Sequence, residues 1–162
     1  MKHMTRLQFP KPTRREFCVQ TCHAASLITL ASMIEACGGS ATSPSSSVPQ
    51  LPTISASIAG GAIAITVDAG SPLAAAGKAA LVQTSGGNFL VARTAQDSFT
   101  ALTAVCTHEA CTVTGFDNQI YVCPCHGSQY STSGSVIKGP APAALRQFAT
   151  RFANNVLTIT VA

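Results

Sequence analysis

The sequence lacks several features that would place it in common classes of protein. Only 10% of its residues are charged, and no stripe of Lys or Arg with interleaved aromatic residues occurs, which argues against a nucleic-acid partner. The apolar stretch 24–34 is diluted by Ser and Thr and is far shorter than the roughly 20 residues of a membrane-spanning helix. No pattern for a long helix and no internal repeat is present. The abundant Ala, Ser, Thr, Gly and Val instead favour a compact β-rich domain.

The basic residues are concentrated at the N-terminus. Residues 1–36 contain Lys2, Arg6, Lys11, Arg14 and Arg15 against two acidic residues, whereas the rest of the chain is nearly neutral. The pair Arg14-Arg15, with a hydrophobic residue two positions on and the apolar stretch behind it, resembles a twin-arginine export signal. An amphipathic N-terminal helix is the alternative interpretation. We predict a signal segment over residues 1–36.

A second processing signal follows the apolar stretch. Cys37, followed by Gly-Gly-Ser, resembles the lipidated cysteine of a bacterial lipoprotein, although Glu35 stands where a small residue is usual. Cleavage by ordinary signal peptidase, or retention of the segment as an anchor, are the alternatives. Residues 37–53 are rich in Ser and Pro and predict an extended tether. We therefore expect an exported protein, lipid-anchored at the periplasmic face of the cytoplasmic membrane, with a folded domain over residues 54–162.

The remaining residues predict an all-β fold. Short runs of alternating apolar and β-branched residues are separated by Gly, Asp, Asn and Ser. Turn signals occur at Gly86-Gly87 and Asn154-Asn155. The predicted strands are Ile54–Ile58, Ala62–Val67, Ala79–Thr84, Asn88–Arg93, Phe99–Val105, Gln119–Val122, Arg146–Phe152 and Val156–Val161. Many short strands at close spacing indicate an antiparallel sandwich or small barrel.

The histidines and cysteines indicate a metal centre. After Cys37 only two histidines occur, His108 and His126, and each follows a cysteine closely, Cys106 and Cys123 respectively. Thiolate is a soft ligand that suits iron–sulfur clusters. Replacing two thiolates with neutral imidazoles raises the potential of such a cluster from about −400 mV to about −150 to +300 mV. Tetrahedral zinc is the alternative occupant of two Cys and two His.

The spacing of these residues resembles that of the Rieske family, in its high-potential cytochrome bc-type branch. The similar segments are Cys106-Thr-His-Glu-Ala-Cys111 and Cys123-Pro-Cys-His-Gly-Ser-Gln-Tyr130. The resemblance implies an antiparallel β-sandwich with a small cluster-binding subdomain of two loops. It also implies one [2Fe–2S] cluster, with the buried iron on Cys106 and Cys123 and the outer iron on His108 and His126.

The same resemblance implies further roles. A disulfide would join Cys111 and Cys125, which export would permit chemically. Hydrogen bonds from Ser128 to a cluster sulfide and from Tyr130 to a ligand sulfur would raise the potential. The segment Gly139-Pro-Ala-Pro142 resembles the loop that covers the cluster. This chain has Glu109-Ala110 where the family usually has Leu-Gly, and a carboxylate there disfavours an apolar docking socket.

Three functions follow from these patterns. The first is one-electron transfer as the iron–sulfur subunit of a membrane quinol-oxidising, cytochrome bc-like complex, with a cytochrome b-like subunit, quinol and cytochrome c as partners. The second is a stand-alone periplasmic carrier, or the small subunit of a molybdenum enzyme such as arsenite oxidase. The third is a structural zinc site. Tyr130 favours the first, whereas Glu109 and the predicted tether favour a partner of another kind.

Overall fold

The computed structural model describes residues 48–162, which form twelve β-strands. No helix in this part of the chain is long and apolar enough to cross a membrane. The strands, in chain order, are β1 (Thr53–Ser55), β2 (Ile58–Ala59), β3 (Ala62–Thr66), β4 (Ala79–Thr84), β5 (Gly87–Ala95), β6 (Ser98–Thr103), β7 (Gly115–Asp117), β8 (Ile120–Val122), β9 (Gln129–Ser131), β10 (Val136–Lys138), β11 (Gln147–Ala153) and β12 (Val156–Thr160).

The strands form two sheets. Eight strands lie in the order β1-β4-β5-β6-β11-β12-β3-β2, and four lie in the order β10-β9-β8-β7. The smaller sheet belongs to an insertion between β6 and β11, residues 104–146, which we call the cluster subdomain. The predicted all-β class and small subdomain are confirmed. The pairing is antiparallel except between β1 and β4, which run parallel with Thr53 opposite Leu81.

The central strands of the large sheet are buried on both faces. Successive residues of a strand point to opposite faces, and each face here meets a different core. Leu81 and Leu90 belong to a core shared with the cluster subdomain. Val82 and Val91 belong to a second core formed with β3 and β12. One face of the central strands therefore packs against the cluster subdomain, and the opposite face packs against β3 and β12 of the same sheet.

The predicted strands are mostly correct, including Gln119–Val122, which contains β8, but three short strands of the cluster subdomain were missed. The predicted strand Ile54–Ile58 is in fact two short strands, because Ala56 and Ser57 lie outside both β1 and β2. The predicted strand Phe99–Val105 ends at Thr103. The three strands β7, β9 and β10 were not predicted; each has only three residues, which is few for the alternating pattern to register. Strand β8 is equally short, but its Ile-Tyr-Val consists of β-branched and aromatic residues and was recognised.

The two predicted turns are both present. Asn154 and Asn155 form the β11–β12 turn and have positive φ angles of 52° and 59°, which Asn tolerates better than most residues. The β4–β5 turn lies one residue earlier than expected, at Ser85-Gly86, and Gly87 is the first residue of β5.

The residues just before β1 belong to the folded domain. The Leu51 amide donates to the Thr114 carbonyl at 2.8 Å, and the Phe116 amide donates to the Pro49 carbonyl at 2.9 Å. Leu51 is buried in the core shared with the cluster subdomain. The predicted tether over 37–53 therefore overlaps the folded domain at its C-terminal end, because residues 49–51 pair with residues 114–116 and Thr53 is the first residue of β1. The rest of that tether and the signal segment lie outside the described residues.

Leu51→Ala tests this boundary. We expect the free energy of unfolding to fall by about 2–4 kcal/mol, the usual cost of truncating a buried Leu, as measured by urea unfolding followed by circular dichroism. Ser55→Ala, on an exposed position of β1, is the control and should stay within about 0.5 kcal/mol of the parent. If the Leu51 variant and the parent are equally stable, residues 48–53 belong to the tether rather than to the folded domain.

Candidate metal centre

The first loop of the site follows β6 and carries Cys106, His108 and Cys111. It is closed by two backbone hydrogen bonds: the Cys106 amide donates to the Cys111 carbonyl at 2.9 Å, and the Ala110 amide donates to the Cys106 carbonyl at 3.0 Å. The tight turn between them leaves the Cys106 side chain buried. The His108 side chain keeps 28% of its surface exposed.

The second loop, which follows β8, repeats this arrangement. The Cys123 amide donates to the Ser128 carbonyl at 2.8 Å, and the Gly127 amide donates to the Cys123 carbonyl at 3.0 Å. In both loops a cysteine amide therefore bonds the carbonyl five residues later, and its own carbonyl accepts from the amide four residues later. Cys123 is buried, whereas the His126 side chain is 46% exposed. The two loops have the same backbone frame although their Cys-to-His spacings differ.

The loops bring like donors together. The Nδ1 atoms of His108 and His126 lie 3.3 Å apart, and the two rings are nearly perpendicular, with centroids 4.8 Å apart. The Cys106 and Cys123 side chains are both buried in the core shared with the cluster subdomain. The four predicted ligands thus form a buried sulfur pair and a half-exposed imidazole pair.

A disulfide joins the two loops. The sulfurs of Cys111 and Cys125 are bonded, with their Cα atoms 6.5 Å apart. This confirms the predicted pairing. Since these two sulfurs are oxidised, Cys106 and Cys123 are the only free thiols among the described residues.

Two buried hydroxyls lie in the site, those of Tyr130 and Ser128, and the first of them contacts the sulfur of Cys106. The Tyr130 hydroxyl lies 3.2 Å from that sulfur and accepts a hydrogen bond from the Thr107 amide at 3.2 Å. The Ser128 hydroxyl is buried and accepts a hydrogen bond from the Ala141 amide at 3.0 Å. In each case a backbone amide donates to the hydroxyl oxygen. Two acceptors then lie 3.2 Å from the Tyr130 hydroxyl, the Cys106 sulfur and the Thr107 hydroxyl oxygen.

The ionisation of the thiols reflects these contacts. Burial acts to raise the pKa of Cys106, but the hydrogen bond to Tyr130 and smaller ones to other groups outweigh it, so this pKa lies below its ordinary value. Burial prevails at Cys123 and raises its pKa. Burial, and then the bond to Cys106, raise the pKa of Tyr130. Tyr130 therefore stays a proton donor beside Cys106, where a thiolate, the metal-binding form, is stabilised.

Comparison with known proteins identifies this arrangement. The family model of the Rieske [2Fe-2S] domain matches residues 64–149, more than half of the chain. The chain belongs to the Rieske family. Its cofactor is accordingly one Rieske [2Fe–2S] cluster rather than zinc.

Named relatives are similar to part of this Rieske chain. The cytochrome b6-f complex iron-sulfur subunit of Chlorobaculum thiosulfatiphilum is 43% identical over 67 residues, which are 40% of this chain and 36% of that protein. The subunit of the same name from Trichodesmium erythraeum is 54% identical over 46 residues, which are 27% of this chain and 25% of that protein. The chain thus spans about a quarter to a third of the length of these relatives.

Solved structures show the same fold. The quaternary ammonium Rieske monooxygenase CntA, in complex with L-carnitine, is 18% identical with a TM-score of 0.51, covering 61% of this chain and 32% of that one. At this identity the likeness concerns the fold alone.

The donor set fits a Rieske cluster. Such a cluster takes two thiolates on one iron and two imidazoles on the other, and here the two kinds of donor are already segregated. When bound, the cluster accepts and returns one electron. The residues that would hold it are Cys106 and Cys123 on the inner side and His108 and His126 on the outer side.

A third loop is hydrogen-bonded to both of the first two. It contains the cis peptide bond Gly139-Pro140 and is attached at two points: its Ala141 amide bonds Ser128, and its Ala143 carbonyl accepts from the Thr107 hydroxyl at 2.7 Å. The predicted covering role of residues 139–142 is consistent with these contacts. Thr107 was not singled out from the sequence, because its partner Ala143 is distant along the chain.

Glu109 lies at the outer edge of the site. Its carboxylate oxygens are 4.0 Å from His108 Nε2 and 3.8 Å from His126 Nε2. These are the ring nitrogens that face away from the converging Nδ1 atoms. The predicted export and lipidation residues Arg14, Arg15 and Cys37 lie outside the described residues.

The first loop has a strained position that Ala110→Gly would relieve. Ala110 has a φ of 56°, in the same left-handed region that Gly127 occupies at the matching position of the second loop. An L-residue with a Cβ costs about 1–2 kcal/mol there. We expect Ala110→Gly to stabilise the cluster-loaded protein by about 1 kcal/mol, part of the relief being offset by chain entropy. The thermal midpoint, followed by circular dichroism, should rise by several degrees.

The reverse change at the matching position is the control. A Cβ on Gly127 would meet no atom within 4 Å, so Gly127→Ala adds backbone strain and little else. Its thermal midpoint should fall by a similar amount. A fall in the Ala110→Gly variant would contradict the equivalence of the two loops.

Proposed function

We propose that this chain transfers single electrons as the iron–sulfur subunit of a membrane quinol-oxidising, cytochrome bc-like complex. The observation that carries the proposal is the segregation of donors: the thiols of Cys106 and Cys123 are buried, while the rings of His108 and His126 reach the surface. An electron carrier needs a short path between its cofactor and a partner, and these two rings provide one. By itself the chain is an electron-transfer protein rather than a complete enzyme.

In this role the outward Nε2 atoms of His108 and His126 would meet the donor. A quinol hydroxyl can hydrogen-bond an imidazole nitrogen, so proton and electron can leave the quinol together. The half-exposed His126 ring is the more accessible of the two. The buried sulfur side would exclude water and hold the cofactor in place.

Hydrogen bonds to sulfur would set a high potential. The Tyr130 hydroxyl lies 3.2 Å from the Cys106 sulfur, and the buried Ser128 hydroxyl would donate to a cluster sulfide. Donors of this kind stabilise the added electron. A high potential suits an acceptor of electrons from quinol.

The proposed partners follow from the relatives and from the tip of the site. The two relatives described above are named as subunits of cytochrome b6-f complexes, which supports a cytochrome b-like partner in the membrane and a cytochrome c as the electron acceptor. Glu109, beside both histidines, favours a second candidate: a stand-alone periplasmic carrier, or the small subunit of a molybdenum enzyme such as arsenite oxidase.

We further propose that the protein is exported and held at the periplasmic face by a lipid on Cys37. The Arg14-Arg15 pair and the sequence around Cys37 support this placement. The Cys111–Cys125 disulfide also supports it, because disulfides persist in oxidising compartments.

Electron paramagnetic resonance of the reduced protein tests the electron-transfer role. We expect a Rieske-type [2Fe–2S] signal, and its titration should give a potential in the high range. Tyr130→Phe should lower this potential by on the order of 50 mV, since about 59 mV corresponds to a tenfold change in a one-electron equilibrium. Absence of the signal in the intact, iron-loaded protein would refute the proposal.

The matched control is Tyr121→Phe. Tyr121 is opposite Tyr130 in the β8–β9 pairing, and its buried hydroxyl has no hydrogen-bond partner among residues 48–162. Its removal should leave the potential unchanged. A shift of equal size in both variants would mean that the potential responds to general loosening rather than to the bond to sulfur.

Intact-mass measurement tests the anchor. Protein extracted from bacterial membranes should begin at Cys37 and carry a diacylglyceryl adduct, and Cys37→Ser should release the protein from the membrane fraction. An N-terminus at any other residue would refute lipidation and leave the electron-transfer proposal standing.

A further inference from the structure

The surface around the two histidines carries one charged side chain. This surface is formed by the three loops 104–112, 123–128 and 139–145, which we call the cluster tip. Glu109 is the only Asp, Glu, Lys or Arg in these three segments. Its side chain is 61% exposed. Apart from His126, the remaining exposed residues of the tip are small or apolar, such as Ala110, Pro124 and Pro140. Lys138 and Arg146 flank the third loop in sequence and lie outside it, so Glu109 is the one charged side chain within the tip itself.

The Glu109 carboxylate lies where a partner protein would contact the two histidines. It lies within 4.0 Å of the outward Nε2 atoms of both His108 and His126. A partner that approaches either ring must therefore cover or contact Glu109. Burying a carboxylate against an apolar socket removes its hydration without replacing it, whereas a Lys or Arg on the partner replaces it with a charge-assisted hydrogen bond.

The cofactor adds charge of the same sign. Two Fe(III), two sulfides and two thiolates sum to zero, and the added electron makes this minus one when the imidazoles are neutral. With Glu109 the tip is anionic in both oxidation states and more so when reduced. A tip of this kind attracts cations and repels anions over about a Debye length.

We propose that the cluster tip docks onto a cationic, Lys- or Arg-bearing surface of its redox partner, and that Glu109 is the residue that selects it. The inference rests on the proposed electron-transfer function and names the chemistry of the partner. The competing hypotheses are that the partner's docking surface is an apolar socket or is acidic.

Oxidation of the reduced, cluster-loaded protein by two small reagents of opposite charge tests the inference. The probes are the tripositive tris(phenanthroline)cobalt(III) and the trinegative ferricyanide, mixed by stopped flow at low ionic strength. Glu109→Gln should slow the reaction with the cobalt complex by on the order of three- to tenfold, and should accelerate the reaction with ferricyanide. Both effects should shrink at about 0.5 M salt, where charges are screened.

The opposite directions separate docking from a change in potential. Removing a negative charge near the cluster also raises its potential, which would slow both oxidants together. The midpoint potential of each variant is therefore measured alongside. If Glu109→Gln changes the oxidation rate in the same direction with both reagents, or changes it with neither, the inference is overturned.

The matched control is Asp117→Asn, which makes the same change in net charge. Asp117 is in the β7–β8 hairpin at the end away from Cys123, since Gly115 pairs with Val122 and Asp117 with Ile120. Its rates should stay within about twofold of the parent with both reagents. Equal effects in the two variants would assign the discrimination to net charge and would overturn a role for the tip.

A protein probe completes the test. A c-type cytochrome with a lysine-rich haem edge should be reduced faster at low salt than an acidic c-type cytochrome of similar potential, and Glu109→Gln should narrow this difference. A Glu109→Leu variant that reacts faster with the lysine-rich cytochrome would favour an apolar socket and overturn the inference. Loss of the Rieske-type signal in the parent would instead refute the proposed function, so the two failures are distinguishable.

Discussion

Two sulfur donors must stay buried while two imidazole rings reach the surface, and the cluster subdomain is organised around this requirement. The same pair of backbone hydrogen bonds closes each loop and turns its cysteine inward. The disulfide between Cys111 and Cys125 then holds the two loops at a common spacing. Backbone hydrogen bonds and a disulfide form this frame, and neither involves the histidine side chains. The two loops can therefore differ in their Cys-to-His spacing.

The small sheet and the loop after it position the residues that surround the four ligands. Strand β9 places Tyr130 beside the sulfur of Cys106, and the loop after β10 supplies the Ala141 amide that orients Ser128. Thr107 connects these parts, since its amide bonds Tyr130 and its hydroxyl bonds Ala143. Tyr130 and Ser128 are thus positioned by the same contacts that attach the third loop.

The tip of the site differs in character from its interior. The interior consists of the donors and hydroxyls that a Rieske cluster requires, so its chemistry follows from membership of the family. The tip consists of small and apolar residues with one carboxylate, Glu109, between the outward nitrogens of two histidines. The ligands can therefore determine the reaction while Glu109 determines which surface can approach it.

The sequence by itself determined the class of fold, the long strands and the four donors. Long strands such as β4 and β12 show enough alternation to be recognised, and thiol and imidazole side chains carry their chemistry wherever they lie. Tertiary structure alone decided the rest: the three-residue strands β7, β9 and β10, the attachment of Leu51, and the contact of Thr107 with Ala143. These features depend on partners far apart in the chain, and a single local window contains only one side of each contact. Glu109 illustrates the difference. Its charge can be read from the sequence, but its position beside both histidines arises only when the two loops fold together.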